Sequence, residues 1–279
     1  MKLFQAKVAM VSLGLLVASS SGCSVVNKLR AKNELNETAR SYKEGKFEEA
    51  EQHARKAVEL DPTNKTAPIF VARTIHSQYK PGIDTPDNVA KARAAIEAYQ
   101  RILQNDPTNE EGYKAVAALY GAIKEDQKLR DWIAQRANDT SLKPDQRAEA
   151  MAILAGKDWD CSFKITELPE NKLIVKGSEV QFKKPKDQKD FDTAHMCVVR
   201  GLEQAEKAIN LDANNEAAWS YKTNLLTEAA RLAEMDGKPD QKAQFSKQAD
   251  DARKRAGVLS EERRKKEQEA ANAATPPTG

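Results

Sequence analysis

The chain has 279 residues and is close to electrically balanced, with 45 Lys and Arg against 42 Asp and Glu and a net charge of +3. Charged residues make up 31% and aromatic residues 6%, a mix typical of helices with broad solvated faces rather than of a thick aromatic core. This balance gives no electrostatic reason to expect a nucleic-acid partner, which requires a concentrated basic face.

Residues 1–22 have the pattern of an export signal. Lys2 and Lys7 form a basic start, and the apolar run from Val8 to Ala18 is far shorter than the ~20 residues needed to span a bilayer. Small residues and then Cys23 follow. This segment resembles a bacterial lipoprotein signal, which implies that Cys23 becomes the lipidated N-terminus, for example carrying palmitate.

One position departs from the lipoprotein pattern, because Ser20 stands where that class usually has Leu. The alternative is an ordinary secretory signal cleaved near Ser19, and both interpretations predict export. If Cys23 is lipidated, we expect residues 23–30 to be a tether and the protein to be anchored without a transmembrane helix. The resemblance, with Ser24 after the cysteine, implies the periplasmic side of the outer membrane.

A short motif recurs along the chain. Asp-Pro-Thr-Asn occupies 61–64 and again 106–109, and a relative with Ala in place of Pro occupies 212–215. Pro107 and Ala213 are 106 residues apart, which is close to three periods of about 34 to 35 residues. Because proline cannot continue a helical hydrogen-bond ladder, the motif predicts the stop of one helix and the start of the next unit.

The segment before the first motif resembles the tetratricopeptide repeat, which implies antiparallel helix pairs stacked side by side. The residues that carry the resemblance are Tyr42, Gly45, Phe47, Ala50, Ala54, Ala57 and Pro62. We therefore expect an all-α, tetratricopeptide-like solenoid of about five helical hairpins over residues 31–256. Gly45 suits a turn with positive φ, and Ala50 and Ala57 are small where helices press together.

Apolar residues at helical spacing predict the other helices. In chain order these lie at 69–75, 92–103, 113–120, 129–137, 148–154, 191–210, 216–235 and 239–256.

Two segments interrupt this pattern. Lys80–Val89 is predicted to be a loop. A β insertion is predicted at 158–189, because Cys161, Phe163 and Ile165 alternate with polar residues as in a half-buried strand.

Return strands are expected at 173–175 and 180–182, with a turn at 169–172. Asp158 and Asp160 are expected to cap or solvate a preceding helix end. The loop and the insertion are hypothesised to shape one partner site jointly; the alternative is that the insertion fills a gap in the stack.

The two cysteines that follow Cys23 can be interpreted in two ways. In an exported compartment Cys161 and Cys197 are expected to form a disulfide, and the alternative is a pair of buried thiols. A thiol hydrolase using Cys161 and His195 is the least favoured function, because no motif of a known cysteine-enzyme family flanks either residue. The three histidines lie apart without metal-ligand spacing, and no glycine-rich phosphate loop is present. We therefore expect no catalysis, no metal and no small-molecule cofactor.

The tetratricopeptide resemblance implies a binding groove formed by the first helices of the hairpins, with other envelope proteins or peptides as partners. The matching positions are Tyr42, Lys43, Arg73, His76, Ser77, Lys114 and Asn224. The carboxylate-clamp specificity of some family members is not supported, because Leu35 and Ala39 stand where that clamp has Lys and Asn.

Residues 257–279 are predicted to form a charged helix that passes, from Ala270, into a disordered tail. Together these features predict a non-catalytic interaction scaffold or adaptor of the bacterial cell envelope, anchored through Cys23. The alternative is a cell-wall-associated structural or glycan-binding lipoprotein, against which the low aromatic content argues mildly.

Overall fold

The computed structural model describes residues 24–175 and 179–274. The predicted export signal, Cys23 and the last five residues of the predicted tail lie outside that range. Within it the fold is all-α, with ten α-helices, a short 3₁₀ turn and one two-stranded antiparallel sheet. The predicted fold class, tetratricopeptide-like helical hairpins with a small β hairpin, is confirmed. No helix in this part of the chain is both long enough and apolar enough to cross a bilayer.

The helices are α1 (24–43), α2 (Phe47–Leu60), α3 (Ala67–Gln78), α4 (Pro86–Asn105), α5 (Glu110–Ala122), α6 (Asp126–Asn138), α7 (Pro144–Thr166), α8 (Gln188–Leu211), α9 (Glu216–Met235) and α10 (Pro239–Ala274). The strands are β1 (Lys172–Val175) and β2 (Glu179–Phe182), paired with Leu173 opposite Gln181. The chain divides into two compact units, residues 1–129 and 130–279, with the boundary inside α6.

The recurring motif builds the same turn each time. In the first copy the Asp61 carboxylate accepts hydrogen bonds from the backbone and hydroxyl of Thr63, and the Asn64 side chain accepts from the Ala67 amide at the start of α3. In the second copy Asp106 binds Thr108 in the same way. Each turn therefore satisfies backbone amides that a new helix leaves unpaired.

Small residues bring the helices of the first unit together. Ala50, Ala54 and Ala57 of α2 are fully buried, and so are Ala92 and Ala95 of α4. The helix α3 packs against both of these helices. Between α1 and α2, Gly45 adopts φ +77°, as expected for the turn.

Glu34 of α1 lies against α2, at a position where the tetratricopeptide pattern has a large apolar residue. Its carboxylate accepts hydrogen bonds from the Lys56 ammonium and the His53 ring of α2, at 2.5 and 2.6 Å. These two partners hold its pKa below the ordinary value for a glutamate. A charged pair therefore links α1 to α2 in place of an apolar contact.

In the second unit α7, α8 and α9 pack against one another, and α10 packs on α9. Two glycines allow the closest approaches. A Cβ atom at Gly156 would lie 2.5 Å from the Tyr221 ring, and one at Gly201 would lie 2.6 Å from the Leu225 side chain. Larger residues at either position would force the helices apart.

The strand predicted around 161–165 is wrong, because α7 continues without interruption to Thr166. The prediction assumed that polar residues face solvent, whereas Ser162 and Thr166 are completely buried and bind the Glu228 carboxylate. The insertion is confined to the segment between α7 and α8, where the hairpin predicted at 173–175 and 180–182 is confirmed.

Three predicted boundaries also differ. Residues 24–30 of the predicted tether belong to α1, because Ala31 and Thr38 anchor that helix on the unit. The 80–89 loop is shorter than predicted, since Thr85 caps α4 and Pro86 starts it. The helix α10 continues to Ala274, four residues beyond the predicted start of disorder.

We predict that Ala57→Trp lowers the free energy of unfolding by about 1–3 kcal/mol, because the fully buried Ala57 leaves no room for a larger side chain. Gln52→Trp, on the exposed face of the same helix, is the matched control and should change stability little. Thermal or urea unfolding followed by circular dichroism measures both. Equal melting of the two variants would contradict the packing register.

Candidate partner-binding surface

Most of the predicted groove residues lie on α1, α3 and α5, the first helices of three successive hairpins in the first unit. Tyr42 at the end of α1 and Ser77 at the end of α3 share a hydrogen bond of 2.8 Å between their hydroxyl oxygens. The Tyr42 ring also packs edge-on against Phe47, with 5.2 Å between ring centroids. The hairpin register inferred from the sequence thus brings together two side chains that lie 35 residues apart.

Arg73 of α3 reaches across to α5. Its guanidinium donates two hydrogen bonds of 2.5 Å to the Glu111 carboxylate. The pairing raises the pKa of Arg73 and lowers that of Glu111. Both side chains are nearly half exposed, at 44% and 46%. A bond of this kind is worth little in water and can be exchanged for one to a partner.

Beneath these residues lies a tyrosine from a second helix. His76 of α3 meets the buried Tyr99 of α4 edge-on, with its Nδ1 3.4 Å from the tyrosine hydroxyl. Burial lowers the pKa of His76 and raises that of Tyr99 to about 12. At neutral pH both rings are therefore uncharged.

The other predicted groove residues are exposed or lie elsewhere. Lys43, at the end of α1, and Lys114, within α5, are both exposed. Asn224 is half-buried on α9, in the second unit. The structure therefore gathers Tyr42, Ser77, Arg73 and His76 on one set of helices, and Asn224 stays a separate prediction.

We call the cluster of Tyr42, Arg73, His76, Ser77 and Glu111 the groove cluster. It offers hydroxyl, guanidinium and imidazole groups within one short stretch of surface, and Lys114 lies one helical turn beyond Glu111. Such groups donate and accept the hydrogen bonds that peptide backbones and carboxylates require. Sequence reasoning missed Glu111 and Tyr99, because neither occupies a first-helix position that the repeat pattern marks for binding.

A second concave feature of the first unit was not foreseen. A cavity of about 1050 Å³ opens beside both Asp-Pro-Thr-Asn turns. The residues that line it include Val58, Pro62, Pro68, Ile69, Ile102 and Pro107 as its apolar part, and Arg55, Glu59, Lys65 and Arg101 as charged residues. Its size matches pockets that accept a ligand or a partner's side chains.

The cavity explains a detail of the helical pattern. Ile69 and Ile102 were assigned to apolar stripes, yet both are only half-buried. Each contributes to the cavity wall instead of meeting a neighbouring helix fully.

The two predicted insertions differ in surroundings. The loop between α3 and α4 is clasped by the Asn88 side chain, whose amide nitrogen donates to the carbonyls of Lys80 and Ile83 at 2.7 Å. The β hairpin rests on the helices of the second unit, where the Arg231 guanidinium lies 4.0 Å from the Phe182 ring centroid. The joint partner site stays a prediction.

A buried carboxylate lies at the centre of the second unit. Asp158, in the middle of α7, is completely buried and binds Arg130 of α6 and Arg200 of α8 through hydrogen bonds of 2.5 to 3.0 Å. The expectation that Asp158 caps or solvates a helix end is wrong, because the helix continues past it and two cations compensate its charge. Asp160, by contrast, has a half-exposed side chain and pairs with Lys164 at 2.5 Å.

Glu228 of α9 forms a second buried cluster. Its carboxylate accepts hydrogen bonds from Thr166 at 2.6 Å and from Arg231 at 2.6 Å. Burial raises its pKa, and the Thr166 hydroxyl and the Arg231 charge oppose that effect. Because Arg231 also pairs with Glu167 and covers Phe182, this cluster fixes the β hairpin to α7 and α9.

The predicted disulfide is present. Cys161 of α7 and Cys197 of α8 are bonded, with 6.1 Å between their Cα atoms. It joins two helices, not a strand and a helix as expected. A bonded sulfur is not a nucleophilic thiolate, so in this state Cys161 does not offer the nucleophile that the thiol-hydrolase alternative requires. His195 lies instead against Phe191 and 3.7 Å from the Asp236 carboxylate.

Among the described residues no group of three or more His, Cys, Asp or Glu side chains is placed to hold a metal ion.

Comparisons with known proteins return structures of low similarity. No protein-family model and no curated protein matches the chain. Among solved structures, MamA from Desulfovibrio magneticus RS-1 is 12% identical with a TM-score of 0.37, covering 81% of this chain and 96% of that one. Pseudomonas aeruginosa PilF is 14% identical with a TM-score of 0.35, covering 80% and 91%. Function must therefore be inferred from the residues of this chain.

We predict that Asp158→Asn lowers the free energy of unfolding by about 3 kcal/mol, because it leaves two partly buried guanidinium groups without their shared counter-ion. Asp160→Asn, two residues along the same helix, is the matched control and should cost well under about 1 kcal/mol, as surface pairs do. Urea unfolding of both variants measures the difference. A loss in Asp158→Asn no larger than in the control would contradict a structural role for this cluster.

Proposed function

We propose that the protein is a non-catalytic interaction scaffold of the bacterial cell envelope, anchored to a membrane through a lipidated Cys23. The observation that carries the proposal is the groove cluster. Side chains from α1, α3 and α5 present interchangeable hydrogen-bonding groups on the first-helix face of stacked hairpins.

The chemistry of the groove cluster favours a peptide or protein partner. The Arg73–Glu111 pair is exposed, so a partner carboxylate can replace Glu111 and a partner amide can bind the released Glu111. Tyr42 and Ser77 add hydroxyl groups that both donate and accept. The exposed Lys43 and Lys114 add positive charge, which favours an acidic segment of the partner.

The envelope location is supported by two independent features. Residues 1–23 have the order of a lipoprotein signal: basic start, apolar run, small residues and cysteine. The Cys161–Cys197 disulfide suits an oxidising compartment such as the periplasm.

The cavity beside the two motif turns gives the scaffold a second contact point. Its apolar part suits a large apolar side chain of a bound partner, and its charged residues suit polar groups around that side chain. This contact belongs to the same proposed function and needs its own variant in the test.

We expect Arg73→Ala, in the full chain, to reduce capture of the cellular partner about tenfold, which corresponds to ~1.4 kcal/mol. The measurement is photo-cross-linking in cells from a probe at Lys114, followed by mass spectrometry and quantitative pull-down. Arg93→Ala is the control, because the exposed Arg93 also pairs with a glutamate, Glu125, and lies outside both the groove cluster and the cavity wall.

The outcomes separate the two surfaces. Loss of capture in Arg73→Ala but not in Arg93→Ala supports the groove cluster. Ile102→Lys changes the cavity wall, and loss of capture in this variant alone would assign binding to the cavity and not to the groove cluster. Capture that neither Arg73→Ala nor Ile102→Lys reduces would contradict the proposed function. A probe at Lys114 that cross-links to no protein would contradict it too.

A further inference from the structure

The first two turns of α1 expose an unusual amount of apolar surface. Val25, Val26 and Leu29 are 60%, 48% and 60% exposed. Successive helix residues are rotated by about 100°, so these three side chains fall within one face of the helix. Exposed single apolar residues are ordinary, but three within five positions form a patch.

The opposite side of α1 is where the helix meets the rest of the unit. Ala31 and Thr38 are buried, at 1% and 0% exposure. Further along, Glu34 binds His53 and Lys56 of α2. The apolar patch therefore faces away from the unit, and α1 does not use it to pack against α2.

Positive charges flank the patch. Lys28, Arg30 and Lys32 are all exposed, and residues 24–33 contain no acidic residue. Their positions on the helix lie on both sides of the apolar face. Within the described residues none of the three forms an ion pair, whereas most exposed cations of the later helices do.

We propose that this face, Val25, Val26 and Leu29 with Lys28, Arg30 and Lys32, lies in the interface of an anionic phospholipid membrane. We call it the α1 membrane face. Apolar side chains bordered by cations are the arrangement by which an amphipathic helix enters a membrane surface. The cations match anionic headgroups, and this charge complementarity favours a lipid surface over a neutral apolar partner.

The position of the patch agrees with this assignment. It begins two residues after Cys23, so the proposal rests in part on the lipid anchor of the proposed function. An acyl chain at Cys23 would keep the α1 membrane face beside the bilayer. Polar residues replace the apolar ones on the same face from Asn33 onward, so the contact is limited to the start of the helix.

Membrane contact at this place has a consequence for the groove. The helix α1 runs without a break from residue 24 to residue 43 and carries Tyr42 near its end. At ~1.5 Å per residue, Tyr42 lies about 20 Å along the helix from Leu29. Docking of the α1 membrane face would therefore hold the groove cluster at a fixed distance from the bilayer instead of on a free tether.

The test uses the full chain, expressed with its own signal, purified in detergent and mixed with vesicles. A nitroxide label is placed at Leu29→Cys, and at Lys43→Cys as the control at the exposed far end of α1. Cys161 and Cys197 are bonded and take no label. Mass spectrometry of the N-terminal peptide reports acylation of Cys23; if that thiol is free, Cys23→Ser is used.

In vesicles of phosphatidylglycerol and phosphatidylcholine, we expect the label at position 29 to be reached by oxygen more readily than by a water-soluble nickel chelate. The label at position 43 should show the reverse. Changing Lys28, Arg30 and Lys32 to Gln should move the label at position 29 into water while helicity is unchanged. Vesicles of phosphatidylcholine alone should have the same effect.

Two results would overturn the proposal. One is a label at position 29 that is as accessible to the nickel chelate as the label at position 43. The other is strong label–label broadening without vesicles, which would show that a second copy covers the face. Acylated Cys23 with a water-exposed label would refute this inference but not the anchor, and an inserted label without acylation would refute the anchor alone.

Discussion

Close approach of paired helices, permitted by alanine and glycine, is the constraint on which both units depend. Ala50, Ala54 and Ala57 are fully buried in α2, and Gly156 and Gly201 lie where a single added carbon would collide with a neighbouring side chain. Close packing of this kind gains dispersion contacts, but each buried methyl-sized group contributes only about 0.8 kcal/mol. A fold built on alanine therefore needs other links between its helices, and the two units supply them differently.

In the first unit these links are partly exposed, and two of them, made by Tyr42 and by Arg73, form the candidate binding face. Glu34 joins α1 to α2, Tyr42 joins α1 to α3, and Arg73 joins α3 to α5. In the second unit they are buried: Asp158 holds three helices through two arginines, Glu228 joins α9 to α7, and a disulfide joins α7 to α8. Exposed links can be exchanged for a partner, whereas buried ones fix the scaffold.

The sequence was sufficient where structure is decided locally. Gly45, the Asp-Pro-Thr-Asn turns and the alanine spacing act within a few residues, so the first hairpins could be predicted from them. Prediction from the sequence failed where polar residues are buried against partners that are distant along the chain. Ser162 and Glu228 are 66 residues apart, so the strand pattern at 161–165 looked half-solvated although Ser162 faces the interior. The cavity was missed for a similar reason, since its wall combines two turns from different repeats.

Hydrogen exchange of the full chain, followed residue by residue by NMR, tests the packing of the alanine faces most directly. If Ala50–Ala57 of α2 and Ala92–Tyr99 of α4 are buried against α3, their amides should be among the slowest to exchange in the first unit, because opening them requires separating neighbouring hairpins. Amides of the 79–85 loop should exchange far faster. Equal rates in the loop and in these two helical segments would contradict the account.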